Sequence, residues 1–270
     1  KWTASGGKVL MNSLRGPEED PQRTIYRPYR HVGNAPDLAL FFRDDRLSDL
    51  IGFEYAKWNG HDAAVNFVSE LEAIASKASS GETPLVSVIL DGENCWEFYA
   101  YNGYYFLDEL YRLLESHPVI HTTTYRSYLS EAGTGAAALE RITAGSWVYG
   151  NFATWMGSTD KNRAWDLLCA AKRSFDMVIA SGRLDQEQTR AAYRQLAACE
   201  ASDWFWWLGD YNPSFAVTSF DQLYRADLSN LYRLLNLPVP ADLAHPISHG
   251  SGHPEAGGVM RRAVEPAQGS

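Results

Sequence analysis

Apolar runs alternate with amphipathic stretches over the first 134 residues. Residues 38–42 and 85–90 are apolar-rich runs of strand length bounded by Pro or charged residues, and residues 119–122 form a shorter run of the same kind. In residues 63–77 apolar positions recur every three or four residues, which predicts a helix, and residues 104–115 predict a second one. This strand–helix–strand–helix–strand order predicts parallel βα units, and hence an α/β region.

The pattern becomes helical in the second half of the chain. Residues 135–158 are rich in Gly and Trp and predict a loop. Asp160 and Asp185 are predicted to cap helix N-termini, and Gly182 is predicted to end a helix. The three helices predicted here cover about 160–181, 185–206 and 219–236. We therefore predict an α/β domain over residues 1–134, an all-α domain over 135–240 and a linker or disordered tail over 241–270.

Composition narrows the class of function. The net charge is −9, from 24 basic against 33 acidic residues, which argues against a nucleic-acid partner or an anionic membrane surface. No apolar run approaches the roughly eighteen residues of a membrane span. The three Cys residues lack metal-binding spacing, which is typical of free thiols in a reducing cytoplasm. Nine Trp and fifteen Tyr suit a sugar-binding cleft, although an aromatic-rich helical core is the alternative that composition alone favours.

Acidic side chains follow two of the predicted strands at the point where each strand ends. Asp44 comes just after the first strand, and Asp91 and Glu93 follow the second. Carboxylates at the C-terminal ends of parallel strands occupy the active-site face of a barrel or open sheet. They could bind Mg²⁺ or Ca²⁺, or they could serve as the two carboxyl groups of glycoside hydrolysis. The structural alternative is that such residues only cap the helices that follow.

Both strand ends resemble known sequence motifs. Residues 41–53, with Arg-Asp-x-x-Leu-Ser-Asp-x-Ile-Gly-Phe, and residues 85–99, with Asp-Gly-Glu-Asn-x-Trp-Glu, resemble the fourth and fifth sequence regions of glycoside hydrolase family 57, in its amylopullulanase-like branch. Further similar segments are residues 1–14, 145–165, 202–207 and 220–232, so that the resemblance spans about 1–247.

The resemblance implies a partial (β/α)7-type barrel followed by a helical bundle, and a retaining mechanism on α-glucans. Asp44 takes the place of the family's proton donor, and Asp91 and Glu93 that of acids lining the same cleft. In the family, a Trp from the helical bundle closes over the active site. The resemblance implies that Trp204, Trp206 or Trp207 has this role here. Further candidates for substrate contacts are Arg43, Trp96, Glu97, Trp147, His31 and His121. A packed loop is the favoured explanation for His31, and a core histidine explains His121 equally well.

The second catalytic carboxylate is the main departure from the family pattern. The family's nucleophile is a Glu upstream of the segment that resembles residues 1–14, so we expect it outside this chain, on a missing N-terminal part of the barrel that acts as a partner. The expected function is part of a retaining α-amylase or amylopullulanase acting on an α-glucan or maltooligosaccharide without a cofactor. A 4-α-glucanotransferase or branching enzyme, and a non-catalytic α-glucan-binding fragment, remain as alternatives.

Overall fold

The structure, a computed structural model, describes residues 1–14, 24–32, 38–79, 81–92, 96–131 and 135–252. Four short strands form a mixed sheet in the order β1-β3-β2-β4. β1 and β3 are parallel and align Gly6 with Arg43 at their C-terminal ends, whereas β2 runs antiparallel to β3 and parallel to β4. The strands are β1 (Trp2–Gly6), β2 (Tyr29–His31), β3 (Ala39–Arg43) and β4 (Ala137–Leu139).

Among the described residues, five α-helices belong to the same unit of the chain as the sheet. The two longest, α3 and α4, pack together through a core that includes Phe67, Phe106 and Leu110. A π-helical turn (Leu50–Glu54) and a 3₁₀ turn (Tyr55–Lys57) lead from α2 to α3, and a second 3₁₀ turn (Ala100–Gly103) precedes α4. The helices are α1 (Gly7–Ser13), α2 (Asp45–Asp49), α3 (Gly60–Ser76), α4 (Tyr104–Glu115) and α5 (Tyr125–Glu131).

Two predicted strands are absent from this unit as the structure describes it. Residues 85–90 are extended but do not pair with a strand of the sheet, because their hydrogen bonds have three separate partners. The Leu85 N–H donates to the Tyr26 carbonyl, the Ser87 carbonyl accepts from the Asp44 N–H, and the Ile89 N–H donates to the Ser48 hydroxyl. Residues 119–122 lie near the surface, and the N–H groups of Val119 and Ile120 donate to the His117 ring. The strand at 38–42 and the helices near 63–77 and 104–115 are confirmed.

The chain divides into two units at Asn151, Lys1–Asn151 and Phe152–Ser270. The boundary expected from the sequence lies earlier, after residue 134. The difference arises because residues 137–139 form β4, whose pairing with β2 ties this segment to the sheet. The predicted loop at 135–158 thus contains a short strand that its Gly- and Trp-rich composition conceals.

The second unit is helical. Its core includes Leu168, Phe175, Phe205, Tyr224 and Leu228. The helix expected at 185–206 is two helices, because α7 ends at Cys199 and a new turn begins at Asp203. The helices are α6 (Thr159–Ser181), α7 (Gln186–Cys199), α8 (Asp203–Trp207) and α9 (Ser214–Leu234), with a 3₁₀ turn at Ala241–Ala244.

The helix ends test the predicted caps. Asp185 caps α7 in a capping box with Gln188, and Gly182 ends α6 with a left-handed φ of 66°, as expected. Asp160 is not a cap, since Ser158 takes that position and Asp160 lies in the first turn of α6.

The tail predicted from residue 241 is wrong for its first part. Leu243 is buried in the core, and the Asp221 carboxylate accepts a hydrogen bond of 2.7 Å from the Ile247 N–H. Residues 241–252 are therefore a packed end of the bundle, and residues 253–270 lie outside the described part of the chain.

Candidate active site

Asp44 lies immediately after β3, at the C-terminal end of the sheet, and is 5% exposed. Its Oδ1 accepts a 2.9 Å hydrogen bond from the Leu47 N–H, which makes Asp44 the N-cap of α2. Its Oδ2 accepts a 2.6 Å hydrogen bond from the Tyr26 hydroxyl. The predicted acid and the predicted helix cap are thus the same residue, and two hydrogen bonds fix its carboxylate.

Tyr26 is a member of the site that the sequence does not single out. It lies in a loop before β2, and only the fold brings its hydroxyl to Asp44. The pKa of Tyr26 is raised, mainly because the side chain is buried and, to a smaller extent, because it donates a hydrogen bond to the Asp44 carboxylate. The phenol therefore stays protonated and remains a donor to Asp44 throughout the neutral pH range.

Arg43 is the last residue of β3 and is directed away from Asp44. Its guanidinium forms ion pairs with Asp45 at 3.0 Å and Asp49 at 2.7 Å, and its Nε donates to the Ile89 carbonyl at 2.9 Å. The same group lies 5.2 Å from the centre of the Trp147 ring. Arg43 is only 7% exposed, so its contacts organise the strand end, and its predicted role in binding substrate stays a prediction.

The segment containing Trp147 lies against the end of β1. A Cβ placed on Gly6 would come 2.5 Å from the Trp147 Cα, a distance that real side chains do not tolerate. The next residue, Gly7, directs its N–H towards the Asp45 carboxylate at 3.4 Å. Glycine at these positions lets the Trp147 backbone approach β1, which brings the Arg43, Asp45 and Trp147 side chains to one end of the sheet.

The remaining candidates of the first unit are not gathered around Asp44 in one described cluster. Asp91, Glu97 and His121 are exposed, and Glu93 lies outside the described residues. Trp96 packs against the rings of Tyr99 and Phe106, at 5.4 and 6.3 Å, so its main contacts are with the core.

His31 is at the end of β2, and its Nδ1 hydrogen-bonds with the Leu139 carbonyl of β4 at 3.1 Å. This contact matches the packed-loop alternative for His31.

The three Trp candidates of the second unit have different surroundings on α8. Trp204 donates its indole N–H to the Ala198 carbonyl at 2.8 Å and packs against Tyr224. Trp207 stacks on Phe220 with ring centres 5.0 Å apart and an angle of 13° between the planes. Trp206 meets Trp155 at 5.7 Å. Trp206 and Trp207 are half-buried, so each keeps part of its ring accessible.

The electrostatics of the described residues include two further features. No group of three His, Cys, Asp or Glu side chains among them is arranged to hold a metal ion. Lys161 in the second unit is fully buried, a feature that the sequence analysis missed and for which the pattern of α6 gives no signal.

No helix within the described ranges is both long and apolar enough to cross a membrane.

Comparison with known proteins defines the class. Residues 4–138, half of the chain, match the family model described as glycosyl hydrolase family 57. The chain belongs to glycosyl hydrolase family 57. No match was found among curated protein sequences.

Solved structures of this kind share the fold at low identity. A branching enzyme from Thermococcus kodakaraensis is 17% identical with a TM-score of 0.64, covering 87% of this chain and 51% of its own. An α-amylase from Thermotoga maritima is 14% identical with a TM-score of 0.61, covering 87% and 54%. A 4-α-glucanotransferase from Thermococcus litoralis is 15% identical with a TM-score of 0.55, covering 86% and 38%.

These likenesses confirm the predicted fold, a partial (β/α)7-type barrel followed along the chain by a helical region, although β2 departs from the parallel arrangement. The chain spans about half the length of the branching enzyme and the α-amylase, and less of the glucanotransferase.

Proposed function

We propose that this chain supplies one half of the active site of a retaining enzyme that acts on α-glucans, with Asp44 as the general acid/base. The observation that carries the proposal is the placement of Asp44, a buried carboxylate directly after β3 that Leu47 and Tyr26 hold in one orientation. A catalytic group gains from such preorganisation because no free energy is then spent on orienting it during the reaction. Membership of glycosyl hydrolase family 57 supports the class of chemistry.

In a retaining mechanism, one carboxyl group protonates the leaving oxygen while a second carboxylate forms a covalent bond to the sugar; the first group then removes a proton from the incoming water or hydroxyl. Asp44 takes the first role. Tyr26 supports it, because a phenol donating at 2.6 Å stabilises the carboxylate that remains after the proton has left. The nucleophile is a Glu on the N-terminal part of the barrel, which we propose as the partner that completes the site.

The proposed substrate is an α-glucan or maltooligosaccharide, and the proposed platform for one of its sugar rings is Trp207. Phe220 covers one face of the Trp207 ring, which keeps the indole in place and leaves the other face as the natural contact for a pyranose. Trp206 is the second candidate. Trp204 is a weaker one, because its indole N–H and ring are engaged by Ala198 and Tyr224.

The reaction on the bound glucan is either hydrolysis, as in an α-amylase or amylopullulanase, or transfer to a second glucan. The similar solved structures include an α-amylase, a branching enzyme and a 4-α-glucanotransferase, so the fold supports both outcomes. Product analysis separates them: incubation of the full-length gene product with maltoheptaose releases new reducing ends if the enzyme hydrolyses, and yields longer or branched chains if it transfers.

The retaining mechanism has its own test. Proton nuclear magnetic resonance of the first product formed should show the α-anomer before mutarotation. A β-anomer would exclude double displacement, and an absence of turnover on every α-glucan would exclude the enzyme proposal.

A non-catalytic α-glucan-binding protein is the second candidate. It is favoured by the fact that both oxygens of Asp44 already serve the fold, one as a helix cap and one as the acceptor for Tyr26. Affinity electrophoresis in glycogen, run beside the product assay, distinguishes it, since binding without turnover is its expected result.

We also propose a cytoplasmic location, which rests on the two described cysteines, Cys169 and Cys199, being free thiols. Activity of the full-length protein that is lost under oxidising refolding conditions would support it.

A further inference from the structure

The C-terminal end of α8 is held by the buried amino group of a lysine. α8 has five residues, and at its C-terminal end the Leu208 N–H donates to the Trp204 carbonyl at 3.1 Å. The carbonyl groups of the last turn of a helix have no intrahelical donor and must find partners elsewhere. Here those carbonyls belong to Phe205, Trp206 and Trp207.

Lys161 of α6 donates to two of these three carbonyls. Its ammonium is 0% exposed and donates to the Phe205 carbonyl at 2.5 Å and to the Trp206 carbonyl at 3.4 Å. It also donates to the Thr154 carbonyl at 2.5 Å and to the Tyr211 hydroxyl at 2.6 Å. The three N–H groups of the ammonium are shared among these four oxygen atoms, so Lys161 is built into the bundle as an anchor.

Asn212 completes the set from the opposite side. Its side-chain amide donates to the Trp206 carbonyl at 3.1 Å and to the Trp207 carbonyl at 2.9 Å. Each of the three carbonyls thus has a buried donor, and Trp206 receives two. A helix of five residues has little stability of its own, so its direction depends on these donors and on the packing of Phe205.

We propose that Lys161 is a positioning residue for glucan binding: by holding the carbonyl end of α8 it fixes the orientation in which Trp206 and Trp207 are presented to the sugar. This inference rests on the proposed function of these two indoles. It goes beyond that function because Lys161 itself never touches the ligand. Burial lowers the pKa of Lys161 to about 7, and the charge of the nearby Asp160 carboxylate opposes this shift.

The test compares two lysines of the same helix. Lys161→Met removes the ammonium and keeps the length of the side chain. Lys172→Met is the matched control, because Lys172 is on α6 and forms a surface ion pair with Asp176 at 2.6 Å, with the Phe175 ring centre 5.9 Å away. Both are made in the full-length protein, and acrylamide quenching of tryptophan emission is recorded without glucan, followed by KM and kcat on maltooligosaccharide.

The emission from α8 is isolated by subtraction, since the protein has nine Trp. Each variant is measured beside its counterpart carrying Trp206→Phe and Trp207→Phe. We expect Lys161→Met to make these two indoles more accessible to acrylamide and to raise KM severalfold with kcat little changed, and Lys172→Met to match the wild type. A folded Lys161→Met protein with wild-type quenching and wild-type KM overturns the proposal.

A milder variant covers the case in which Lys161→Met does not fold. Tyr211→Phe removes only the hydroxyl that accepts from Lys161 and keeps the ring, whose centre is 5.0 Å from the ammonium. Tyr211→Phe should change the acrylamide quenching and the KM in the same direction as Lys161→Met, but by less. Wild-type quenching and a wild-type KM in Tyr211→Phe overturn the proposal. Failure of the proposed function of Trp207 as a sugar platform gives a different result. In that case Trp207→Ala leaves KM unchanged, while Lys161→Met still alters the acrylamide quenching.

Discussion

Replacing Asp44 by Asn separates its two roles. Asn and Asp are equally good helix N-caps, so the side-chain oxygen of the introduced amide can still accept the hydrogen bond that the Leu47 N–H now gives at 2.9 Å. The NH₂ group of the amide then faces Tyr26 and can donate to its hydroxyl oxygen, in place of the present 2.6 Å contact. The change removes the transferable proton and leaves the shape of the site intact.

The expected loss of activity follows from the role. General acid catalysis contributes about 10²–10⁴ in rate, which corresponds to about 2.7–5.5 kcal/mol of transition-state stabilisation. The expected loss of stability for Asp44→Asn is below about 0.5 kcal/mol, because the cap is kept. Asp44→Ala loses the proton and the cap, so it should lose the same activity and also about 1 kcal/mol of unfolding free energy.

The assay uses two substrates with the full-length protein. Maltooligosaccharide has a sugar leaving group that needs protonation, whereas a dinitrophenyl glycoside has a leaving group that departs as a stable anion. Asp44→Asn should therefore lose kcat/KM on maltooligosaccharide and keep most of the rate of bond cleavage on the aryl glycoside. Urea unfolding of the same samples measures the stability difference between Asp44→Asn and Asp44→Ala.

Two results would refute this reasoning. Unchanged turnover of maltooligosaccharide by Asp44→Asn would show that Asp44 is only a helix cap. Equal losses on both substrates, together with a large loss of stability, would show that the substitution damages the site rather than removing an acid.

Three further predictions concern the surroundings of the site and the bundle. Arg43→Met should cost about 2 kcal/mol of unfolding free energy in urea, because it removes a guanidinium that is 8% exposed and leaves the Ile89 carbonyl without its donor. Arg46→Met breaks a surface pair with Glu70 and should cost less than about 1 kcal/mol; equal costs would contradict the buried anchor. Gly6→Ala should lower the melting temperature through an overpacking cost of about 1–3 kcal/mol, since its Cβ meets the Trp147 Cα at 2.5 Å, while Gly52→Ala, with open space around its Cβ, should change it little. The pKa of Lys161 is lowered from 10.5 to about 7, so between these pH values the unfolded chain holds a proton that the folded chain has released. The unfolding free energy of the wild type should therefore rise with pH, relative to that of Lys161→Met, by up to about 1.4 kcal/mol per pH unit. Parallel curves of unfolding free energy against pH would contradict this prediction.

Strong local patterns account for the parts of the fold that the sequence predicts well. The apolar run ending at Phe42, the helix Tyr104–Glu115 and the cap at Asp185 all carry their signal within a few neighbouring residues. β1 and β4 have no comparable pattern, because strands of five and three residues gain most of their stability from their partners in the sheet. The run at 85–90 fails for the opposite reason, since its apolar pattern is real but its backbone bonds go to loops and a side chain.

The candidate site shows the same division. The position of Asp44 directly after a strand is visible in the sequence. The contact with Tyr26, eighteen positions earlier, depends on how a loop folds over the strand end, and no spacing rule predicts it. Lys161 is hidden for a related reason, because a lysine on a helix is normally solvated and only the neighbouring carbonyls of α8 explain its burial.

The cap formed by Asp44 has a consequence for how descendants of this protein would diverge. Selection for a folded chain alone would retain Asp at this position or exchange it for Asn or Ser, because those residues also cap α2. Loss of activity would therefore leave little trace at the acid itself and would appear first at Tyr26, whose hydroxyl has no comparable duty in the helix. In a lineage that has abandoned catalysis, a Phe at this tyrosine would be an earlier sign of decay than any change of the aspartate.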